Sequence, residues 1–342
     1  MVNFCSDNAS GAAPEIMRAL QAANDGWAMP YGNDDWTRRL QAQVEEIFET
    51  EAAVLPVATG TAANVICLSV MTPPYGAIYC HRESHINVDE CGAPELFTGG
   101  AKLVALPGDH AKIAPATLDA AIVNAGDVHA VQPAAISLTN SSEAGTVYTP
   151  KEVRAISEIA KAHGLGLHMD GARFANALVT LGCSPAEATW KAGVDALSLG
   201  ATKNGILAGE LVVVFDPGKA EELGYRRKRG GHLFSKMRFL SAQLEAYLTD
   251  DLWLRNARHA NAMAATLAEG LAELPGAKLS HPVEANEIFV VLPEPVIRGL
   301  FDRGFQFYRW GPEANCEARL VLAFNTDPAQ IDAFLTAARE LS

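Results

Sequence analysis

The stretch TPKEVRAISEIAKAHGLGLHMD, residues 149–170, indicates how this chain folds. Thr149 and Glu152 form a capping box, proline occupies the first helical position, and apolar residues follow at helical spacing. The next run, residues 166–169, is typical of a short strand. The stretch therefore predicts a helix that leads into a strand, which is the repeating unit of an α/β protein.

The same alternation of short apolar runs and helical segments extends outward from this stretch, from about residue 52 to residue 215. Such a rhythm builds a mostly parallel sheet that is covered by helices. We therefore predict an α/β fold with one large, doubly wound sheet. Its seven strands are expected at residues 53–57, 77–80, 102–106, 134–138, 166–169, 196–199 and 211–215.

The pattern changes after Gly230 and Gly231. Two long helices are predicted at residues 233–248 and 252–274, and strands then alternate with helices to the end, which indicates a smaller C-terminal α+β domain. A chain of 342 residues also exceeds what one small core usually organises. We divide the chain into an N-terminal segment (1–25), a large domain (26–232) and a small domain (233–342).

Charge limits the partners of this protein. The net charge is −13, with 40 acidic against 27 basic residues, which opposes a phosphate backbone or an anionic membrane as the main partner. The basic cluster at residues 225–229 is interpreted as a solvated face or a local anion site. We therefore expect neither a nucleic-acid partner nor a membrane partner.

The six cysteines lack the C-x-x-C spacing of a zinc cage and suggest no disulfide framework. Free thiols are typical of a reducing compartment. The N-terminus has no basic stretch before an apolar run, and no segment holds about 18 uncharged apolar residues. We expect a cytoplasmic protein.

Lys203 follows a predicted strand in the stretch LSLGATKNG, residues 197–205. Ligands of open α/β sheets gather beyond the carboxyl ends of the strands, where a lysine could form a Schiff base. A loop lysine that simply reaches solvent is the alternative, and for Lys203 taken alone it is the more common case.

The stretch TGTAAN, residues 59–64, follows the first predicted strand of the sheet and opens a helix. Its backbone N–H groups and the helix dipole could hold a phosphate. It is neither a Walker loop nor a G-x-G-x-x-G turn, and small residues at such a turn often serve only tight packing. Taken alone, it is a weak indication.

Asp170 ends another predicted strand, in HMDGAR, residues 168–173. An aspartate opposite a pyridine nitrogen keeps the ring protonated, and a protonated ring withdraws electrons from a carbanion. A helix cap or an ion pair with Arg173 is a comparable alternative. The three features also occur in a particular order along the chain: a phosphate turn, then this aspartate, then Lys203. Together they are more informative than any one of the features alone.

At these residues the chain resembles the threonine aldolases, which are aminotransferase-like, fold type I enzymes that use pyridoxal 5'-phosphate. Segments 75–92 and 184–190 are similar to the phenylserine aldolase branch. The resemblance runs nearly end to end, through SDN at 6–8, YGND at 31–34, TGTAAN at 59–64, His85, HMDGAR at 168–173, Lys203 and RLV at 319–321.

The resemblance implies a role for particular residues. Lys203 would carry the cofactor, Asp170 would pair with its ring nitrogen, and His85 would stack on the ring. Arg229 would reach the phosphate in a neighbouring subunit. The other expected cofactor contacts are Gly60, Thr61, Arg173 and Thr202, and the expected substrate contacts are Ser6, Tyr31, Glu90, Arg173 and Arg319, of which Ser6 and the two arginines would hold the carboxylate.

The implied reaction is the aldol cleavage of L-threonine, L-allo-threonine or phenylserine to glycine and an aldehyde, which makes the chain a lyase of amino-acid metabolism. Either His85 or His129 could be the general base. A homotetramer with active sites between subunits is also implied.

Three other functions compete with the aldol cleavage. One is another reaction on the same fold, either β-elimination or transamination. Another is a non-catalytic cofactor-binding protein. His168 and Asp170 also suggest a metal hydrolase, but no further ligand cluster supports a metal.

Overall fold

A seven-stranded sheet forms the centre of the larger part of the protein. The structure, a computed structural model, describes residues 2–342. Leu197 and Leu199 of one central strand join one hydrophobic core and Ala196 joins another, because alternate residues face opposite sides of a sheet. The strands are β1 (Val2–Asn3), β2 (Ala53–Val57), β3 (Gly76–His81), β4 (Lys102–Leu106), β5 (Gln132–Thr139), β6 (Gly166–Gly171), β7 (Ala196–Gly200), β8 (Glu210–Val214), β9 (Lys278–Leu279), β10 (Glu287–Val291), β11 (Phe305–Gln306), β12 (Tyr308–Trp310) and β13 (Glu317–Val321).

The strand order across the large sheet is β2-β8-β7-β6-β5-β3-β4. Strands β7, β6, β5, β3 and β4 run parallel, and β8 is antiparallel to both of its neighbours. The predicted α/β class with a large, mostly parallel, seven-stranded sheet is confirmed. Because parallel strands share one carboxyl edge, the segments that follow β5, β6 and β7 meet at that edge.

Helices bury both faces of this sheet. Helix α3 packs on one face and α7, α8 and α11 on the other. Among residues 2–342, none of the helices combines the length and the apolar character needed to cross a lipid bilayer. The helices are α1 (Pro14–Ala23), α2 (Asp35–Phe48), α3 (Gly60–Met71), α4 (His85–Val88), α5 (Ala93–Thr98), α6 (Pro115–Ala121), α7 (Pro150–His163), α8 (Phe174–Leu181), α9 (Pro185–Ala188), α10 (Ala220–Arg229), α11 (Arg238–Leu248), α12 (Leu252–Ala272), α13 (Glu294–Asp302) and α14 (Pro328–Leu341).

The capping box predicted from the sequence begins α7. The Thr149 hydroxyl accepts the Glu152 N–H at 3.2 Å, and the Glu152 carboxylate accepts the Thr149 N–H at 2.7 Å. The helix expected from residue 233 begins only at Arg238, because the preceding residues form a loop in which the Ser235 carbonyl accepts the N–H of Tyr31 at 3.0 Å.

The C-terminal part is built on a four-stranded antiparallel sheet of order β12-β13-β10-β9, covered by α13, α14 and the second half of α12. The predicted α+β character of this part is confirmed. The N-terminal strand β1 pairs in parallel with β11, which attaches the first residues of the chain to this small domain.

Side chains change from one hydrophobic core to the other within α12. Trp253 and Ala257 at its start belong to the core of the large sheet, whereas Ala264 and Leu267 belong to the core of the small sheet. The division into residues 1–25, 26–232 and 233–342 remains a proposal about domain organisation, and this packing supports a later changeover than residue 233.

Candidate active site

A cavity of about 310 Å³ opens at the carboxyl edge of the large sheet. Strand β6 contributes Asp170, the turn after β7 contributes Lys203, and the first turn of α3 contributes Gly60 and Thr61. The three features that the sequence suggested separately therefore line one space.

The N-terminus of α3 forms an anion cradle on one side of this cavity. The Thr59 hydroxyl caps the helix by accepting the Ala62 N–H at 3.1 Å. The N–H groups of Gly60 and Thr61 belong to the first turn, where a helix has no carbonyl partners for its donors and its dipole favours negative charge. A Cβ on Gly60 would meet nothing within 4 Å, so a phosphate has room to approach.

The turn that carries Lys203 is fixed to the core on both sides. The Ala201 N–H donates to the Glu210 carboxylate at 2.6 Å. The Asn204 side chain donates to the Tyr247 hydroxyl and to a backbone carbonyl, both at 2.8 Å. Because the residues on both sides are held, the backbone of Lys203 is fixed and only its side chain can move. That side chain lines the cavity.

Asp170 is buried and begins a chain of hydrogen bonds. One carboxylate oxygen accepts the Ala172 N–H at 3.0 Å, and the other accepts the Asn64 amide at 2.8 Å. The same Asn64 nitrogen donates to Glu90 at 2.8 Å, and Glu90 lies 2.8 Å from Nδ1 of His85. The chain therefore links the carboxylate expected at the cofactor ring to the histidine expected to stack on it.

Two carboxylates hold His85 from different directions. The hydrogen bond to Glu90, aided by the charge of Asp170, raises the pKa of His85 despite its burial. Glu143 accepts the His85 backbone N–H at 3.0 Å and the Thr139 hydroxyl at 2.7 Å, and burial raises the pKa of Glu143 to about 7. His85 is therefore oriented through both its ring and its backbone.

Replacing Glu90 with glutamine is expected to shift the pH dependence of catalysis. If His85 acts as a base, activity rises with pH through its pKa, and loss of the carboxylate lowers that pKa. The acidic limb of kcat/KM should therefore move to lower pH in Glu90→Gln. A pH profile of both proteins measures the shift, and the exposed Glu83→Gln is the control. If the acidic limb does not move in Glu90→Gln, a group other than His85 is responsible for that limb.

The predicted substrate arginines lie in a buried charge cluster. Arg173 bonds both oxygens of Asp7, at 2.7 Å and 3.0 Å, and its third nitrogen lies 3.0 Å from Glu287. Arg319 also bonds Glu287 and lies over the ring of Trp310. Arg173 lines the cavity, and Arg319 is connected to it through Glu287.

Ser6 lies next to this cluster, where its hydroxyl accepts the N–H of Asn8 at 3.2 Å and caps the short turn that carries Asp7. The N-terminal segment therefore reaches the cavity, and Asn8 forms part of the cavity wall.

Among residues 2–342 no group of three or more His, Cys, Asp or Glu side chains is arranged to hold a metal ion.

The sequence of this chain is similar to those of known enzymes. The sequence model of the β-eliminating lyases matches residues 3–295. The chain belongs to the β-eliminating lyase family. It is 45% identical to the low specificity L-threonine aldolase of Pseudomonas aeruginosa, over 95% of this chain and 93% of the relative. A low specificity L-threonine aldolase from another Pseudomonas is 42% identical, over 96% and 94%.

Solved structures of similar proteins share the whole architecture. A structure of Leishmania major threonine aldolase has a TM-score of 0.94 and 28% identity, and covers 100% of this chain and 99% of that one. Serine palmitoyltransferase of Sphingomonas wittichii, at 17% identity and a TM-score of 0.75, covers 99% of this chain and 86% of that one and shares the fold alone. The predicted resemblance to threonine aldolases and the fold type I architecture are confirmed.

Six residues that the resemblance assigned to the site do not line the cavity. Ser6 and Glu90 bond residues of its wall, and Arg319 is connected to Arg173 through Glu287.

The other three, His129, Tyr31 and Arg229, are remote from the cavity. His129 is exposed in the turn before β5, at the end of that strand opposite the cavity, roughly 25 Å away at 3.3 Å per residue. Tyr31 is exposed beside Lys228, and Arg229 lines a separate groove with Phe97. Within one subunit the structure does not bring them to Lys203.

Several buried polar residues of the site were not assigned roles from the sequence. Asn64 lies one helical turn after Gly60, so its spacing could have placed it on the cavity side of α3. Asp7 and Glu287 gave no such indication, because their partner Arg173 is remote in sequence. Glu210 gave only the weak indication of an acidic residue next to a predicted apolar strand, and Glu143, in the loop after another strand, gave none.

Proposed function

We propose that this protein binds pyridoxal 5'-phosphate and cleaves β-hydroxy-α-amino acids, namely L-threonine, L-allo-threonine or phenylserine, to glycine and an aldehyde. The observation that carries the proposal is the convergence of Lys203, Asp170 and the N-terminus of α3 on one cavity. The 45% identity to a relative named low specificity L-threonine aldolase supports the choice of reaction.

The residues of the cavity fit this cofactor. The N–H groups of Gly60 and Thr61, together with the Thr202 hydroxyl, would hold its phosphate. Asp170 would accept a hydrogen bond from the protonated ring nitrogen, and Lys203 would form the covalent bond to the cofactor. When bound, the cofactor supplies an electron sink for the charge that develops at Cα of the substrate.

Arg173, Arg319 and Ser6 would orient the amino acid by its carboxylate. An arginine fork bonds the two oxygens of a carboxylate in one plane, which fixes the rotation of the substrate about Cα. The Nε edge of Arg173 already bonds Asp7. A substrate carboxylate would therefore bond the remaining donors of Arg173 or displace part of the Asp7 contact.

His85 is the general base that the geometry supports. With Nδ1–H donated to Glu90, Nε2 is free to accept the proton of the β-hydroxyl as the Cα–Cβ bond breaks. The paired carboxylate also stabilises the imidazolium that results. His129 could act only on the site of a neighbouring subunit, and this role remains the alternative.

An assay of aldehyde release tests the proposed reaction. Purified protein with added pyridoxal phosphate is supplied with threonine or phenylserine, without any keto acid. We expect equal amounts of glycine and acetaldehyde or benzaldehyde. Ammonia and a keto acid would instead indicate β-elimination, and activity that requires an added keto acid would indicate an aminotransferase.

Replacing Asp170 with asparagine is expected to lower kcat by about 10²–10³-fold, the usual cost of losing one group that stabilises developing charge. Asparagine can still accept from Asn64 but no longer keeps the ring nitrogen protonated. Cofactor affinity and kcat are measured together, with Asp195→Asn, outside the cavity, as control. An unchanged kcat in a variant that binds cofactor normally would exclude the proposed role.

We also propose that the protein is a cytoplasmic homotetramer whose active sites lie between subunits. The large apolar side chains of Trp27, Met29 and Phe234 are exposed near Tyr31 and Arg229, which supports a surface that a neighbouring subunit covers. Light scattering tests the assembly. Mixed subunits of Lys203→Ala and Arg229→Ala should regain activity if Arg229 serves its neighbour, because some sites then receive both intact residues; no regain would exclude this sharing.

A further inference from the structure

Glu210 lies between the two segments that would hold the cofactor. As the first residue of β8, it pairs on one side with Val57, which leads through Thr59 to Gly60. On its other side it pairs with Gly200, which leads to Lys203. The side chain is buried and lines the same cavity as Gly60, Thr61 and Lys203. An acidic residue therefore lies within the wall of a site built to bind an anion.

Glu210 lies beside a group that is expected to bind the phosphate. Its carboxylate accepts the Ala201 N–H at 2.6 Å. The next residue, Thr202, is an expected phosphate ligand, and its hydroxyl donates at 3.3 Å to the carbonyl of Gly209, which directly precedes Glu210. A carboxylate beside a phosphate dianion would be destabilised by like charge in a buried site. A neutral carboxyl would avoid that repulsion and would also gain an O–H donor.

Few charged groups near Glu210 would oppose protonation of its carboxylate. Lys203 is the cation that faces it from the turn after β7, and Tyr247 of α11 is the neighbouring phenol. Arg227 of α10 contacts the Pro56 carbonyl on the adjacent strand β2 at 3.4 Å. Strand β2 and helix α3, which also pack against β8, contain no charged residue. Lys203 is therefore the cation that favours the charged form of Glu210.

We propose that Glu210 takes up a proton when the cofactor phosphate enters the cavity and remains neutral in the loaded protein. This inference rests on the proposed cofactor. Burial raises the pKa of Glu210 to about 7 before any phosphate is present. A nearby anion raises this pKa further, so the uptake should occur above about pH 7 and vanish below it, where the carboxyl is already protonated.

Calorimetric titration in two buffers of different ionisation enthalpy counts the protons taken up on binding. Wild-type protein is titrated at pH 8 with pyridoxal phosphate and with pyridoxal, which lacks the phosphate. We expect close to one additional proton per site with pyridoxal phosphate. Glu210→Gln should lose this difference, and its affinity should weaken less with rising pH, by up to about tenfold per pH unit relative to wild type.

Glu143→Gln is the matched control, because Glu143 is the other cavity acid with a raised pKa but lies beside His85 rather than the phosphate cradle. It should keep the phosphate-dependent uptake. Equal uptake with the two ligands in wild type would overturn the inference, even if Glu210→Gln failed to fold. Failure of wild type to bind pyridoxal phosphate at all would instead overturn the proposed function.

Discussion

Replacing Lys203 with alanine is expected to lower kcat by on the order of 10⁴-fold, because a nucleophile that forms a covalent bond cannot be replaced by its neighbours. The visible absorption that depends on the bond between Lys203 and the cofactor should disappear as well. The fold should persist, since the turn is held by Ala201 and Asn204 rather than by the lysine side chain.

The measurement combines aldehyde release with the absorption spectrum of the purified protein and its circular dichroism. Lys191→Ala is a matched control, because Lys191 lies in the same kind of short helical turn but pairs with Glu49 at the surface. It should retain both the activity and the spectrum. A Lys203→Ala protein that kept the cofactor band and turned over threonine would contradict the assignment.

The large sheet could be predicted because its strands are short apolar runs separated by amphipathic helices. Each predicted strand overlaps an observed one, and the capping box gave the start of α7. Helix α11 was predicted to begin too early, because a tertiary bond from Tyr31 holds Ser235 in a loop. The antiparallel insertion of β8 between β2 and β7 could not be predicted, since the sequence of a strand does not specify its neighbours.

The parts of the site that could be predicted are those fixed by local structure. Lys203 and Asp170 follow strands, and Gly60 opens a helix, so one rule about the carboxyl edge brings them together. Asn64 bonds partners that are distant in sequence, and Glu210 enters the site because β8 pairs it with Val57 of β2; only the fold shows those contacts. His129, Tyr31 and Arg229 stay predictions, because any role they have in catalysis requires a second subunit.

Replacing Arg173 with alanine is expected to destabilise the folded protein by about 3–5 kcal/mol, the usual cost of leaving a buried charge without its partner. Asp7 and Glu287 are both buried against this guanidinium. Urea unfolding without substrate measures the loss, and KM for the amino acid should also rise. Arg309→Ala, which removes a partly exposed ion pair with Glu294, should cost much less.

The pH dependence of the Arg173→Ala effect separates lost charge pairing from lost packing. Burial alone would raise the pKa of Asp7, but the charge and hydrogen bonds of Arg173 hold it below the ordinary value. In wild type this contribution to stability is present above the pKa of the unfolded chain, about 4, and is lost as pH falls further.

In Arg173→Ala the pKa of Asp7 should instead rise, because the carboxylate stays buried without a cation, so acidification should relieve the destabilisation. The difference in unfolding free energy between the two proteins should therefore shrink as pH falls from 8 toward 5. Adding Asp7→Asn to Arg173→Ala should recover part of the loss at pH 8. A difference that is equal at both pH values would mean that Arg173 stabilises the fold by packing, and that the charge cluster matters only for the substrate.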